Sequence, residues 1–242
     1  MSSAPPGGFV DLHSHIVPGL DDGAADLETA LEMARVAVAD GIGVMAATAH
    51  CWPGIYDNTA DGIRQAVADL QGRLDAEGIA LRLVPGAEIM LDERVPARLH
   101  TGELLTLGDR GTHALVELPP GGIPLCSEQV IFELQLAGIT PVLAHPEKNT
   151  EVQGRLDFVA TLAERGCLVQ VDADSLRRPS RRADGAVRWL LEHDCVNVIA
   201  SDAHSVTARP ARLSDAVARA GRILGEDATA LATTIPSHIL GL

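Results

Sequence analysis

Aromatic side chains are scarce, at 2% of 242 residues, so any core must be aliphatic. Cysteine is scarce too. Cys51, Cys126, Cys167 and Cys195 lie far apart without a CxxC pair, and reduced, mostly buried thiols are expected. No apolar run reaches the length of a membrane span. The Ser/Pro/Gly-rich residues 1–8 lack the basic and hydrophobic layout of a signal peptide. These absences predict a cytoplasmic protein, not embedded in a membrane, with a flexible stretch at 1–8 leading into a single domain at 9–242. Cations are also in deficit: 19 Lys and Arg stand against 33 Asp and Glu, a net charge of -14. Such a surface repels phosphate backbones and argues against a general nucleic-acid binder. Bound metal ions can still invert the field locally and hold a phosphate.

Several signatures are missing as well. There is no G-x-x-x-x-G-K-[ST] or G-x-G-x-x-G for a nucleotide and no G-x-S-x-G elbow. A cysteine-dependent phosphatase needs Arg six residues after its nucleophile. Here those positions hold Asp57, Phe132, Ala173 and Ser201. Cys51 beside His50 therefore reads as a packed thiol.

What is present is an alternation of short apolar runs with helix-period segments. The runs Phe9–Leu12, Val44–Ala49, Leu81–Ala87, Ala114–Leu118, Pro141–Ala144, Cys167–Val171 and Val196–Ala200 read as strands. Helices are predicted over Asp26–Asp40, with Asp26 as N-cap and Gly41 as stop, and over Thr59–Glu77. Others are expected at Ser127–Ala137, Arg155–Arg165, Ala183–His193 and Leu213–Leu224, with Gly138 and Gly166 at helix ends. Leu91–Thr112 reads as a short helix and a loop. The pattern means an α/β fold with a covered parallel sheet. It leaves a closed barrel and an open doubly wound sheet both possible, and in either the site lies at the carboxyl ends of the strands.

Those ends carry metal-ligand residue types with great regularity. The first strand runs into His13-Ser14-His15, with Asp21 and Asp22 in the loop beyond. The next ones end at His50, Glu88, Glu117, His145 and Asp172, and the last at Ser201-Asp202-Ala203-His204. One such residue in a loop is ordinary. Seven strands ending this way point to a cation site. Spacing of i and i+2 on an extended chain puts His13 and His15, and likewise Asp202 and His204, on one side. A carboxylate such as Glu88 can bridge two ions. Clustered divalent ions favour hydrolysis, because they lower the pKa of water and clamp phosphoryl oxygens.

These residues resemble the PHP (polymerase and histidinol phosphatase) superfamily, which opens with H-x-H and closes with D-x-H. The likeness covers nearly the whole chain. It is closest to the CpsB/YwqE-like branch of bacterial tyrosine phosphatases from capsular and exopolysaccharide operons. The D-[IL]-H-S-H-I-x-x-x-x-D-D-G pattern is matched from Asp11 to Gly23, and T-x-H by Thr48-Ala49-His50. G-A-E-I is matched by Gly86 to Ile89, G-I-T-P-V-[IL]-A-H by Gly138 to His145, and I-A-S-D-x-H by Ile199 to His204, with Arg209-Pro210 following.

The resemblance implies a distorted (β/α)7 TIM-like barrel of the PHP type holding two to three divalent ions. Manganese is the expected ion, and zinc or iron are alternatives. One ion would take His13, His15, Glu88 and Asp202. A second would take Glu88, Glu117 and His145, and a third Asp22, His50 and His204. Arg209 and Lys148 would neutralise the phosphate oxygens. The implied substrate is a phosphotyrosine protein, the tail of a bacterial tyrosine kinase that controls polysaccharide export. Two departures stand out. The branch usually has H-x-E-R where this chain has His145-Pro146-Glu147-Lys148, which predicts a weaker grip on phosphate but retained activity. Cys51-Trp52-Pro53 replaces basic residues found after the second-strand histidine in some members. Two other readings stay open: another phosphoesterase of the superfamily, such as a histidinol-phosphate phosphatase, or a non-catalytic metal-stabilised module.

Asp172 reads as support for the site or a solvent contact ahead of a metal ligand. Trp52 or Tyr56 reads as a platform for a tyrosyl ring, with loop packing the other reading for Trp52. His100, His113, His193 and His238 fall outside the constellation. The run Arg177-Arg178 and Arg181-Arg182 reads as a solvated loop or a rim for an acidic tail. The oligomeric state is left open.

Overall fold

A computed structural model describes residues 8–120, 122–178 and 181–242. The expected flexible stretch at 1–8 lies outside the described residues except for Gly8. The strands are β1 (Phe9–Asp11), β2 (Ile42–Trp52), β3 (Tyr56–Asp57), β4 (Arg82–Met90), β5 (His113–Glu117), β6 (Thr140–Ala144), β7 (Leu168–Asp172) and β8 (Val198–Ala200). All but β3 run parallel, in the order β1-β2-β4-β5-β6-β7-β8. The helices are α1 (Leu27–Ala39), α2 (Ala60–Ala76), α3 (Val95–His100), α4 (Ser127–Leu136), α5 (Leu156–Glu164), α6 (Ala173–Arg177), α7 (Arg181–Glu192), α8 (Ser214–Leu224) and α9 (Thr234–Leu240).

The sheet curls into a nearly closed barrel, which decides between the two architectures. Between β8 and β1 the ladder is replaced by a short seam. The Asp202 amide donates to the His13 carbonyl at 2.8–2.9 Å, as the His15 amide does to Ala203. Below them Asp11 accepts the Ser201 amide at 2.9 Å and its hydroxyl at 2.5 Å. The closing seam thus carries His13, His15 and Asp202.

The aliphatic composition produces two cores. Strand residues such as Phe9, Met45, Ala87, Val116, Leu143 and Val169 pack outward against the helices. Their alternating neighbours Val10, Ala46, Leu115, Val142 and Val198 fill the barrel. Ile239 and Leu240 of α9 join the inner cluster. Helix boundaries follow local chemistry. The Asp26 side chain accepts the Thr29 amide to cap α1, and Thr59 accepts the Gly62 amide to cap α2. After α4 and α5 the chain turns at Gly138 (φ 77) and Gly166 (φ 87), a left-handed backbone that glycine adopts without strain.

The structure departs from the sequence expectations in a few places. β2 and β4 run past their expected ends, so His50 and Glu88 lie within strands as register partners. β2 gains length because Trp52 pairs back with Tyr56 of β3 in a hairpin. The short helices α6 and α9 were not expected. Asp202 and His204 do not share an extended strand. The chain leaves β8 at Ala200, and Asp202 adopts φ 47, a left-handed turn.

Candidate metal centre

At the carboxyl ends of the strands, His13, His15, Asp22, His50, Glu88, Glu117, His145, Asp202 and His204 come together. The His13 and His15 Nε2 atoms lie 3.1 Å apart. Glu88 sits between the imidazoles. Its Oε2 lies 3.2 Å from His13, 3.3 Å from His15 and 2.9 Å from His50, while Oε1 meets His145 at 2.8 Å. Asp202 Oδ1 lies 3.4 Å from His13 and 3.3 Å from His15. Glu117 approaches His50 and His145 at 3.8 Å. Asp22 Oδ1 lies 3.5 Å from His50 and 3.4 Å from His204.

Four groups have ligand atoms mutually close enough for one ion: His15, Asp22, His50 and His204; His13, His15 and Glu88; His13, His145 and Asp202; His50, Glu88 and Glu117. The groups share Glu88, a carboxylate able to bridge two ions, and also His13, His15 and His50, each of which would serve one ion at a time. Glu88 Oε2, Glu117 Oε2 and Asp202 Oδ1 are buried yet accept no hydrogen bond. Such orphaned anionic atoms carry a large desolvation cost unless a cation meets them. This donor set of imidazole and carboxylate suits divalent metal ions.

The imidazoles are aimed. With tautomers assigned from the network, His13 Nδ1–H donates to Gln170 Oε1 at 3.0 Å and His15 Nδ1–H to Asp21 Oδ2 at 2.7 Å. His204 Nδ1–H donates to the Asp202 carbonyl at 2.9 Å. Each arrangement turns Nε2 toward the cluster, where the deprotonated nitrogen would meet a metal ion, the habit of metal-binding histidine. Asp21 and Gln170 were not picked out as supports from sequence. Asp21 hid beside Asp22 in an acidic loop, and Gln170 on the inward face of a strand. Tyr56 stacks on His50 with ring centroids 5.4 Å apart, so it holds an imidazole rather than standing free as a platform.

Backbone strain is concentrated here. His145 (φ 27) and Asp202 (φ 47) are two of the four non-glycine residues with positive φ among the described residues. Such conformations cost on the order of 1–3 kcal/mol and persist where the surroundings over-determine them.

Charge inside the cluster is strongly coupled. Burial opposes ionisation of Glu88 and Asp202, yet His13 and its neighbours hold both well below the usual carboxylate range. Burial and the Glu88 charge push Glu117 up. Burial works against a charged His145, but its hydrogen bond to Glu88 lifts the pKa to about 9. In the metal-free state protons thus stand in for cations, and metal binding must displace them.

Two permanent cations face the rim. Lys148 Nζ donates to Asp202 Oδ2 at 2.6 Å and pairs with Asp172. Burial disfavours its charge, but Asp172 and Asp202 raise its pKa above the ordinary lysine value. Arg209 pairs with the same oxygen of Asp202. Asp172 does not join the cluster. It is fully buried, caps α6 through the Asp174 amide, and holds Lys148.

The remaining expectations resolve simply. Burial lifts the Cys51 thiol to about 12, which removes it as a nucleophile at neutral pH. His193 binds the Trp189 carbonyl at 2.8 Å near the end of α7. Arg177 pairs with Asp174, and Arg178 donates to the carbonyls of Ala208 and Thr207. The side chains of Arg181 and Arg182 lie outside the described residues.

Comparisons with known proteins agree with this geometry. Tyrosine-protein phosphatase YwqE of Bacillus subtilis is 37% identical over 202 residues, covering 83% of this chain and 79% of YwqE. Tyrosine-protein phosphatase CpsB of Streptococcus pneumoniae is 28% identical over 216 residues, covering 86% and 88%. A solved structure from work on YwqE of B. subtilis and CpsB of S. pneumoniae, described as metal-dependent tyrosine phosphatases, superposes with a TM-score of 0.90. It has 34% identity and covers 96% of this chain and 94% of its own. A β-aspartyl dipeptidase from Fervidobacterium islandicum shares only the fold, at 15% identity and a TM-score of 0.57. A family model for the capsular polysaccharide synthesis proteins CpsB/CapC matches residues 9–240, and the chain belongs to that family.

Proposed function

We propose that this chain is a metal-dependent protein-tyrosine phosphatase, and that its nine clustered ligand residues hold two to three divalent ions. One observation carries the reading: buried carboxylate oxygens of Glu88, Glu117 and Asp202 without hydrogen bonds converge with five imidazoles beside Lys148 and Arg209. One ion would be held by His13, His15, Glu88 and Asp202, a second by Glu88, Glu117 and His145, and a third by Asp22, His50 and His204. Bound divalent ions supply a lowered water pKa and positive charge for phosphoryl oxygens.

The chain's own residues do the rest. Asp21 and Gln170 fix imidazole orientation. Arg209 and Lys148 bind the non-bridging oxygens of the ester and offset charge as the P–O bond breaks. A tyrosine leaving group, with a pKa of about 10, needs less protonation than an alkyl alcohol. The substrate is a phosphotyrosine protein, the tail of a bacterial tyrosine kinase in the cytoplasm, which fits relatives named for capsule synthesis. Manganese is the favoured ion, with zinc or iron able to occupy the same donors.

The test is phosphate release from a phosphotyrosine peptide with manganese, comparing wild type with His204→Ala. Equal rates would remove the cluster from the reaction. A preference for histidinol phosphate over aryl phosphates would transfer the reading to that alternative substrate.

A further inference from the structure

Two cavities adjoin the ends of β2 and β6. One, of about 340 Å3, opens on the side of Cys51 and Tyr56; its wall carries Asp57, Asp61 and Glu103 against Arg98 and includes none of the nine ligand residues. The other, of about 320 Å3, shares Glu117, His145 and Lys148 with the cluster. Its remaining wall is largely carbon, from Leu118, Pro120, Ala144 and Pro146.

The second cavity is prebuilt. Asn149 donates its amide to the carbonyls of Pro119 and Gly122 at 3.1 and 3.4 Å, and its Oδ1 accepts the amides of Glu151 and Val152. Glu151 Oε2 accepts the Ile123 amide at 2.8 Å. These bonds zip the segment after β5 to the segment after β6, and prolines stiffen both sides. A rigid apolar slot costs little ordering when a flat ring enters it.

We propose that this slot, between Pro120 and Pro146 and bounded by Lys148, takes the aryl ring of the phosphorylated tyrosine. The proposal rests on the phosphatase reading and names the subsite of that same centre. With the phosphate above the cluster, the ester oxygen points either toward Lys148 or toward Tyr56. On the Tyr56 side the Tyr56 ring already lies on His50, and the cavity beyond it touches no ligand residue and carries Asp57, Asp61 and Glu103. On the Lys148 side the ring meets proline and leucine carbon, with the Lys148 side chain in the wall.

The test uses the metal-loaded protein and fills the slot from its exposed rim with Pro120→Trp and Thr150→Trp. In wild type, phenylphosphonate should bind at least about tenfold tighter than methylphosphonate, as a buried ring adds apolar contact. The tryptophan variants should erase that preference and lower kcat/KM for phenyl phosphate about tenfold or more, with inhibition by inorganic phosphate retained. Equal binding of the two phosphonates to wild type overturns the proposal, even if the protein hydrolyses phosphate esters. So does undiminished phenyl phosphate turnover in both variants, or a loss confined to peptide substrates, which would assign the slot to a residue flanking the tyrosine. Failure of the phosphatase reading shows separately, as wild type without turnover of any phosphomonoester.

Discussion

The His15 imidazole donates Nδ1–H to Asp21 Oδ2 at 2.7 Å, and the same oxygen accepts the backbone amide of His50 at 3.0 Å. One carboxylate thus fixes the ring of one cluster histidine and the strand position of another. Asp21 belongs to none of the four groups of ligand atoms close enough for one ion and acts through its partners. Removing it as Asp21→Ala should weaken metal affinity about 10–100-fold, the usual cost of losing a group behind a metal-binding histidine. Titration of the chelated protein with manganese or zinc checks this. Unchanged affinity would show that His15 is held by its other neighbours.

That relationship also marks the limit of what could be read from sequence. The ligand types at the strand ends were visible because each sits at a predictable place, just past an apolar run. The amphipathic helices were visible because their faces and caps are local. The supports were not. Gln170 meets His13 across 157 residues of chain, and only the closed barrel makes them neighbours. The turn at Asp202 was equally hidden, because a left-handed aspartate leaves no spacing signal. The helices α6 and α9 are too short, at 5 and 7 residues, to display a clear period.

Lys148, the chain's only lysine, bridges two buried carboxylates. Lys148→Met leaves the buried Asp172 charge without its lysine partner, and stability should fall by on the order of 3 kcal/mol. Adding Asp172→Asn restores most of the loss, because asparagine keeps the cap on α6 without the charge. Denaturant unfolding of the two single variants and the double variant measures this coupling. Lys148→Arg, which brings back the two-pronged donor common in the branch, should lower the Ki of inorganic phosphate severalfold. Purely additive stabilities would mean that the lysine and Asp172 do not sense each other.

Asp11 gives a pH signature. Burial raises its pKa to about 6, against the opposing pull of the Ser201 hydroxyl and amide. The unfolded value is about 3.9, so between pH 4 and 6 the native state binds the extra proton. Its contribution to stability is complete below pH 4 and lost as pH rises through 6, a change of roughly 3 kcal/mol at most. Asp11→Asn can still accept the Ser201 amide and should flatten that part of the curve in chelated protein. The variant should also match or exceed wild-type stability at pH 8. Urea unfolding across pH 4–8 checks the sign, and a wild-type curve that rises through this window would reverse it.

Gly23 offers a way to disturb the cluster without deleting a ligand. A Cβ at this position would lie 2.0 Å from the His15 carbonyl oxygen and 2.4 Å from the His15 Cβ. Both neighbours are fixed, since the His15 carbonyl accepts the Ala24 amide and the His15 amide is tied to Ala203 in the closing seam. The loop must therefore move, and it carries Asp21 and Asp22. Gly23→Ala should cost about 1–3 kcal/mol of stability from overpacking. It should also lower the bound-metal count through displacement of Asp22 from His50 and His204, while the distant helices keep their circular dichroism. Elemental analysis of the dialysed protein reads the count. If full metal content survives the added methyl group, the Asp22 loop is not what secures the ions at that edge of the barrel.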